Sequence, residues 1–131
     1  MQTWYLDTSA AVKLILRESE SPALMKAVRE SRPNLVSSVL LETELRCAVL
    51  RNPEVPISAA SDLISSIGLF EMDATVYRQA GLIPGSHLRS LDAIHLTCAM
   101  LADATFLVSY DSRLLSAAAE LGVPTLAPGR D

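Results

Sequence analysis

Residues 1–11 read MQTWYLDTSAA, and the fold turns on how Thr3–Leu6 and the acid that follows are read. TWYL is β-branched and aromatic, as a buried strand should be. It stops on Asp7, and Thr8, Ser9 and two alanines then open a helical pattern that reaches Leu16. Asp7 has two readings. A short side-chain oxygen at a helix start accepts hydrogen bonds from backbone N–H groups that lack partners, so Asp7-Thr8-Ser9 suits an N-terminus. The other reading makes Asp7 one ligand of a metal site, with the helix begun by Thr8 and Ser9.

Working outward, strands and helices alternate. Ser21-Pro22 opens a helix to about Ser31, with Pro at the first helical position. Leu35-Val36 is a short strand, and Ser37 or Ser38 is expected to cap a helix running to Leu50. Pro56 opens a helix to Ser66, Leu69–Met72 is a strand, and Asp73 caps a helix to Leu82. After a loop at Pro84-Gly85-Ser86, Ser90 is expected to cap a helix to Ala102. Thr105–Ser109 is a strand, Asp111 begins a helix that ends at Gly122, and Pro124–Leu126 is a fifth strand candidate. This order predicts an α/β fold, a three-layer α/β/α sandwich on a mostly parallel sheet of four or five strands. In such sheets ligands bind beyond the carboxyl ends of the strands. Asp7 and Asp111, in LVSYDSRL, both occupy that position.

Half of the 131 residues are hydrophobic and 5% aromatic, which suits helices packed on a sheet. That length is expected to make one domain over residues 1–131, with about two-thirds of the unfolded surface buried. The N-terminus lacks a basic-then-apolar leader and no apolar run approaches about 18 residues, so a soluble, cytoplasmic protein is expected. Cys47 and Cys98 show no metal-ligand spacing and read as buried small hydrophobes in a reducing compartment. The net charge of −4 and pI near 5.1 argue against a nucleic-acid partner, unless acids gather around a cation that offsets them.

Two further acids stand out within helices. At about 100° per residue, Glu44 falls in the arc of Leu40, Leu41 and Ala48, whereas Glu42 lies opposite, beside Arg46. An inward carboxylate without a partner costs several kcal/mol or takes up a proton, on the order of magnitude expected for buried charge. In LRSLDAIHLTCAML, apolar almost all round, Asp92 falls in the first turn, where an acid also complements the helix dipole. If Asp7, Glu44, Asp92 and Asp111 converge, their repulsion requires a cation. Oxygen ligands without His or Cys suit Mg²⁺ or Mn²⁺ and not zinc, as one ion with several waters or as two that flank a phosphate. Such an ion lowers the pKa of bound water for phosphodiester hydrolysis, with a carboxylate such as Asp92 orienting it. Ser9 is placed to hydrogen-bond a ligand oxygen or a metal-bound water.

YLDTSA, SSVLLETEL, LRSLDAIHL and LVSYDSRL resemble, in order and spacing, the PIN-domain ribonucleases, and more narrowly the VapC toxins of bacterial toxin–antitoxin pairs. The resemblance spans essentially the whole chain. It implies an acidic Mg²⁺/Mn²⁺ site made of Asp7, Glu44, Asp92 and Asp111, with Ser9 on the family's usual hydroxyl. Asp111 stands at the acid whose contact with metal varies within the family. It also implies cleavage of structured RNA, tRNA or rRNA, and inhibition by a VapB-like antitoxin whose C-terminal segment enters the active-site groove. Homodimers and larger toxin–antitoxin assemblies are expected, and no membrane partner. The acidic pI then fits, because Lys13, Arg46, Arg89 and Arg113 follow or precede the acids and are candidate phosphate contacts. Substrate choice is expected to rest on loops near Asn52–Pro56 and Pro84–His87. His95, one turn from Asp92, reads as a structural histidine bonded within a buried helix. Met72, Met100, Trp4 and Tyr5 read as core. The alternative is a non-catalytic module that keeps the fold as a docking surface. A phosphotransferase with Asp7 as nucleophile is rejected, because haloacid-dehalogenase-like enzymes need a second Asp where Ser9 stands.

Overall fold

The computed structural model describes residues 1–85 and 87–130; Ser86, in the loop expected at Pro84-Gly85-Ser86, lies outside them. Five strands, β1 (Thr3–Leu6), β2 (Asn34–Ser38), β3 (Gly68–Phe70), β4 (Phe106–Val108) and β5 (Thr125–Leu126), form one sheet ordered β3-β2-β1-β4-β5. Every pairing is parallel, with Tyr5 beside Val36 and Leu107, and Leu6 beside Val108. The intervening helices are α1 (Thr8–Val12), α2 (Ser21–Ser31), α3 (Leu40–Leu50), α4 (Ser58–Ser65), α5 (Ala74–Ala80), α6 (Ser90–Leu101) and α7 (Ser112–Glu120).

The pleat sorts the layers, because successive side chains of a strand point to opposite faces. Trp4 and Leu6 pack with Ala10, Leu24, Leu41, Leu45 and Ala60 of α1–α4. Tyr5, between them, packs with Val76, Leu96, Leu114 and Ala118 of α5–α7 on the other face. The expected three-layer α/β/α architecture is what the chain adopts. Strand order also fixes where a ligand should bind. The chain leaves β1 toward β2 and β3, then returns on the other side through β4 and β5. The crevice between the carboxyl ends of β1 and β4 is therefore the topological switch point.

Several local expectations change. Ser37 and Ser38 do not cap α3; they continue β2, and Val39 stands at the helix start. Ser37 instead donates to the Leu6 carbonyl at 2.7 Å. Arg89, not Ser90, precedes α6, which puts Asp92 at its third residue. Regular α1 stops at Val12, and residues 13–15 continue in tighter i→i−3 turns. Cys47 is exposed, because the buried stripe of α3 is Leu41, Leu45, Ala48 and Val49 and Cys47 lies about 200° round from Leu45. Cys98 is buried as expected. Met100 is exposed in the last turn of α6, beyond the stretch His95–Ala99 that fills the core, while Met72 is half-buried against that core. Gly122, at φ 74°, takes the left-handed position just past α7 that a side chain would strain.

Candidate active site

A cleft of about 250 Å³ at the switch point is lined by Asp7, Thr8, Ser9, Glu44, Arg89, Leu91, Asp92, His95 and Asp111. All four acids singled out from the sequence are among these residues. A larger cavity, about 960 Å³, lies between the segment after α1, the turn after α3 and α4, and carries Arg17, Glu18, Glu54 and Asp62 among mainly apolar neighbours. Size favours that cavity; chemistry favours the smaller cleft.

Asp7 is the most enclosed of the four, 4% exposed. It caps α1: Oδ1 accepts from the Ala10 N–H at 3.0 Å, so the cap is Asp7 and not Thr8 or Ser9, which open the helix itself. It also accepts from two hydroxyls. Ser9 Oγ lies 2.7 and 2.9 Å from its two oxygens, and Ser109 Oγ donates to Oδ2 at 2.6 Å. Burial pushes the Asp7 carboxyl above its ordinary value, against the lowering effect of those bonds. The hydroxyls also stitch two strand ends together. Ser9 Oγ accepts from the Tyr110 N–H at 2.9 Å, and Ser109 Oγ accepts from the Asp111 N–H at 3.1 Å.

Asp111 repeats the motif after β4. Its Oδ1 accepts from the Arg113 and Leu114 N–H groups at 2.9 and 3.3 Å, capping α7. Glu44 arrives from mid-α3, half-buried, as its place in the helical arc predicts. Thr8 Oγ1 donates to its Oε1 at 2.6 Å, and His95 Nε2 lies 2.7 Å from the same atom. Burial raises the Glu44 carboxyl, but the bonds from His95 and Thr8 outweigh it and hold the group below the ordinary value. Asp92 is the reverse case. Burial and the neighbouring Asp111 charge push it up, and its Oδ2 is buried with no hydrogen-bond partner among the described residues.

Whether these residues fit a metal turns on two facts. Among the described residues, no three His, Cys, Asp or Glu side chains are gathered tightly enough to hold an ion as they stand. The donor set, however, consists of hard oxygens on one cleft, and the orphaned Asp92 Oδ2 is a buried acceptor in want of a cation or donor. In chemistry the residues fit a divalent ion.

The basic candidates separate. Arg89 lines the cleft. Lys13 does not: it is 8% exposed, bonded to Glu18 and Glu20 at 3.2 and 2.9 Å, and sits 4.7 Å from the Tyr110 ring centroid. Arg46 is turned outward to Glu42 and Ser61, at 3.3 and 3.1 Å. Arg113 borders a separate hollow with His87 and Glu120. Three contributors escaped the sequence reading. Ser109 follows directly from register, since Leu6 pairs with Val108 and the next residues are Asp7 and Ser109. Thr8 was taken for helix initiation alone. His95, expected to bond within its helix layer, bonds instead to Glu44 across the cleft and to Tyr5 of β1.

The PIN-domain family model matches residues 4–121. The chain is 40% identical over 132 residues to ribonuclease VapC35 of Mycobacterium tuberculosis, covering 96% of this chain and 97% of that one. It is 39% identical over 130 residues to ribonuclease VapC46 of the same organism, at 98% and 99% coverage. Among solved structures it is similar to M. tuberculosis VapC20, described as a sarcin–ricin loop cleaving toxin: TM-score 0.71, 16% identity, 87% and 94% coverage. It is similar also to VapBC2 from Rickettsia felis bound to a DNA fragment from their promoter, with TM-score 0.65, 16% identity and 95% and 98% coverage. With the acids of the sequence motifs lining the switch-point cleft, and relatives this similar over nearly their full length, the chain belongs to the PIN-domain family and is a VapC-like member of it.

Proposed function

We propose that the chain is a Mg²⁺- or Mn²⁺-dependent endoribonuclease, the toxin of a toxin–antitoxin pair, hydrolysing phosphodiester bonds in structured RNA such as tRNA or rRNA. The observation that carries this is the assembly of Asp7, Glu44, Asp92 and Asp111 on one cleft between the ends of β1 and β4. The similarity to ribonucleases VapC35 and VapC46 supports the same reading. Asp7, Glu44 and Asp92 would hold the ion, with Asp111 the fourth acid beside it. When bound, the ion supplies a nucleophilic water at neutral pH and offsets the charge of the scissile phosphate.

The remaining work falls to side chains of the chain. Asp92, whose buried Oδ2 has no partner among the described residues, is suited to orient the attacking water and take its proton. Ser9 and Ser109 hold Asp7 in one rotamer, so little reorganisation accompanies binding. Arg89, exposed at the cleft rim, is the basic side chain placed to contact a flanking phosphate. The segment Asn52–Pro56 borders the large cavity and His87 the hollow beside Arg113, which leaves these loops as the substrate-selecting surfaces. A VapB-like antitoxin would inhibit by seating a segment in the acidic cleft, where a basic side chain finds four carboxylates. Met100 and Leu101, 41% and 56% exposed in the last turn of α6, offer an apolar surface for a second copy.

Incubation of purified protein with structured RNA and Mg²⁺ or Mn²⁺ tests the reading. Cleavage that EDTA abolishes, and that Asp7→Asn loses, is the expected result. Equal cleavage by EDTA-treated or Asp7→Asn protein would show the assignment wrong. That no trio of ligands stands ready-gathered among the described residues favours one competing reading, a non-catalytic docking module. Calorimetry separates the two, since a docking module takes up no Mn²⁺.

A further inference from the structure

A buried relay runs behind the acidic cleft and ends on one atom of it. Tyr5 lies in β1 with its ring in the α5–α7 layer and is fully buried. Its hydroxyl is 2.8 Å from His95 Nδ1. His95, on α6 and 2% exposed, places Nε2 2.7 Å from Glu44 Oε1. Thr8 of α1 donates to that same Oε1 at 2.6 Å. Glu44 itself comes from α3, so residues of β1, α1 and α6 converge on a carboxylate from a fourth element.

The direction of each bond follows from what the groups can do. An ionised carboxylate only accepts, so the contact at Glu44 requires a proton on His95 Nε2. A neutral ring with that proton has Nδ1 as its acceptor, and the Tyr5 O–H then donates to it. Nε2–H of His95 donates to Glu44 Oε1 in either charge state of the ring, and in the neutral ring Tyr5 O–H donates to Nδ1. Among the described residues, Oε2 of Glu44 takes part in no hydrogen bond, whereas Oε1 receives two.

We infer that His95 is a positioning residue. It clamps Oε1 of Glu44, with Thr8, so that Oε2 is presented to the divalent ion, and Tyr5 holds the ring in the orientation that makes the clamp work. This rests on the metal-dependent reading above and adds to it a residue outside the acidic set. A histidine that merely fills the α6 layer needs no proton at Nε2 and has no reason to favour one amide replacement over another.

Amide variants separate the two roles, because a glutamine amide reaches toward the Nε2 position and an asparagine amide only toward Nδ1. His95→Gln keeps a donor for Glu44; His95→Asn keeps the contact to Tyr5 and loses the one to Glu44. Calorimetry with Mn²⁺, steady-state cleavage and thermal melts are run on wild type and both variants. The expected result is a loss on the order of 10-fold or more in Mn²⁺ affinity and kcat for His95→Asn, as for other outer-sphere partners. KM for RNA should change less than about threefold, since uniform binding is untouched. His95→Gln should stay within about threefold of wild type in all of these. A folded His95→Asn protein with wild-type Mn²⁺ affinity overturns the inference, as does equal loss in both variants with equal loss of melting temperature. Imidazole ¹⁵N NMR of the wild-type protein needs no variant to fold: a proton bound at Nε2 supports the clamp, and an unprotonated Nε2 overturns it. Wild-type protein that binds no Mn²⁺ would instead overturn the metal reading at its own baseline, and the NMR result then judges the Tyr5–His95–Glu44 linkage by itself.

Discussion

Two aspartates end two parallel strands in almost the same sequence setting, and they become chemically different residues. Asp7 after β1 and Asp111 after β4 each accept backbone N–H bonds at a helix start. Asp7 is buried in the middle of the sheet, and Ser9 and Ser109 supply hydroxyls to both of its oxygens. Asp111 is half-buried near the sheet edge and meets its cap through Oδ1, while its charge raises the proton affinity of Asp92. A capping pattern therefore tells where a carboxylate sits along the chain. The neighbouring strands decide what it does there. Central placement fixes Asp7 in one orientation; lateral placement makes Asp111 a source of field beside Asp92.

That contrast sets an order of effects. Asp7→Asn keeps the cap geometry and removes the central charge, so cleavage should fall on the order of 100-fold or more while a cooperative thermal transition persists. Asp111→Asn should cost on the order of 10-fold in kcat. Equal losses at the two positions, in parallel cleavage assays, would break the distinction between them. Arg89→Ala should raise KM for RNA by about 10-fold, the scale of one lost charged phosphate contact, and Arg46→Ala should leave KM within about twofold. A large effect at Arg46 would mean that RNA crosses the outer face of α3.

The smallest expected effect is on stability, and its sign is unusual. Asp92 holds its proton more tightly when folded than its ordinary value of 3.8 implies. The folded protein therefore binds more protons than the unfolded chain from that value upward. Stability from this group is present below it and is lost as pH rises through the window up to the raised value. In EDTA at neutral pH, Asp92→Asn should melt about 1–2 °C higher than wild type, a small gain because the carboxyl is only half-buried. The difference should vanish below about pH 4, and metal should stabilise wild type and not the variant. Glu44, lowered by His95 and Thr8, behaves oppositely, giving stability that is complete above its ordinary value of 4.5 and lost as pH falls from there to the lowered value. A pH series of melts on Glu44→Gln and Asp92→Asn should therefore show opposite slopes.

What the sequence discloses here is what depends on local periodicity. The end of β1 at Leu6, the caps at Asp73 and Asp111, and the inward direction of Glu44 each follow from a few neighbouring residues, whereas β2 runs on through Ser38 and β3 stops at Phe70. Partners reached across the sheet do not. The bond from Ser109 to Asp7 spans 102 positions and that from His95 to Glu44 spans 51, so no local pattern marks either. Arg46 misled for the same reason: proximity to Glu44 along the chain becomes, at two residues on a helix, the opposite side. Ser37 looked like a cap because serine favours caps, but parallel pairing with β1 and β3 extends the strand through it.

The central claim is that Asp7, Glu44 and Asp92 hold a divalent ion with Asp111 beside it. Anomalous diffraction from crystals soaked in Mn²⁺ tests it most directly. The account predicts a manganese peak within ligand distance of Asp7, Glu44 and Asp92, with Asp111 beside it, and no such peak in Asp7→Asn crystals. A peak elsewhere on the protein, or none in wild type at saturating Mn²⁺, would contradict it.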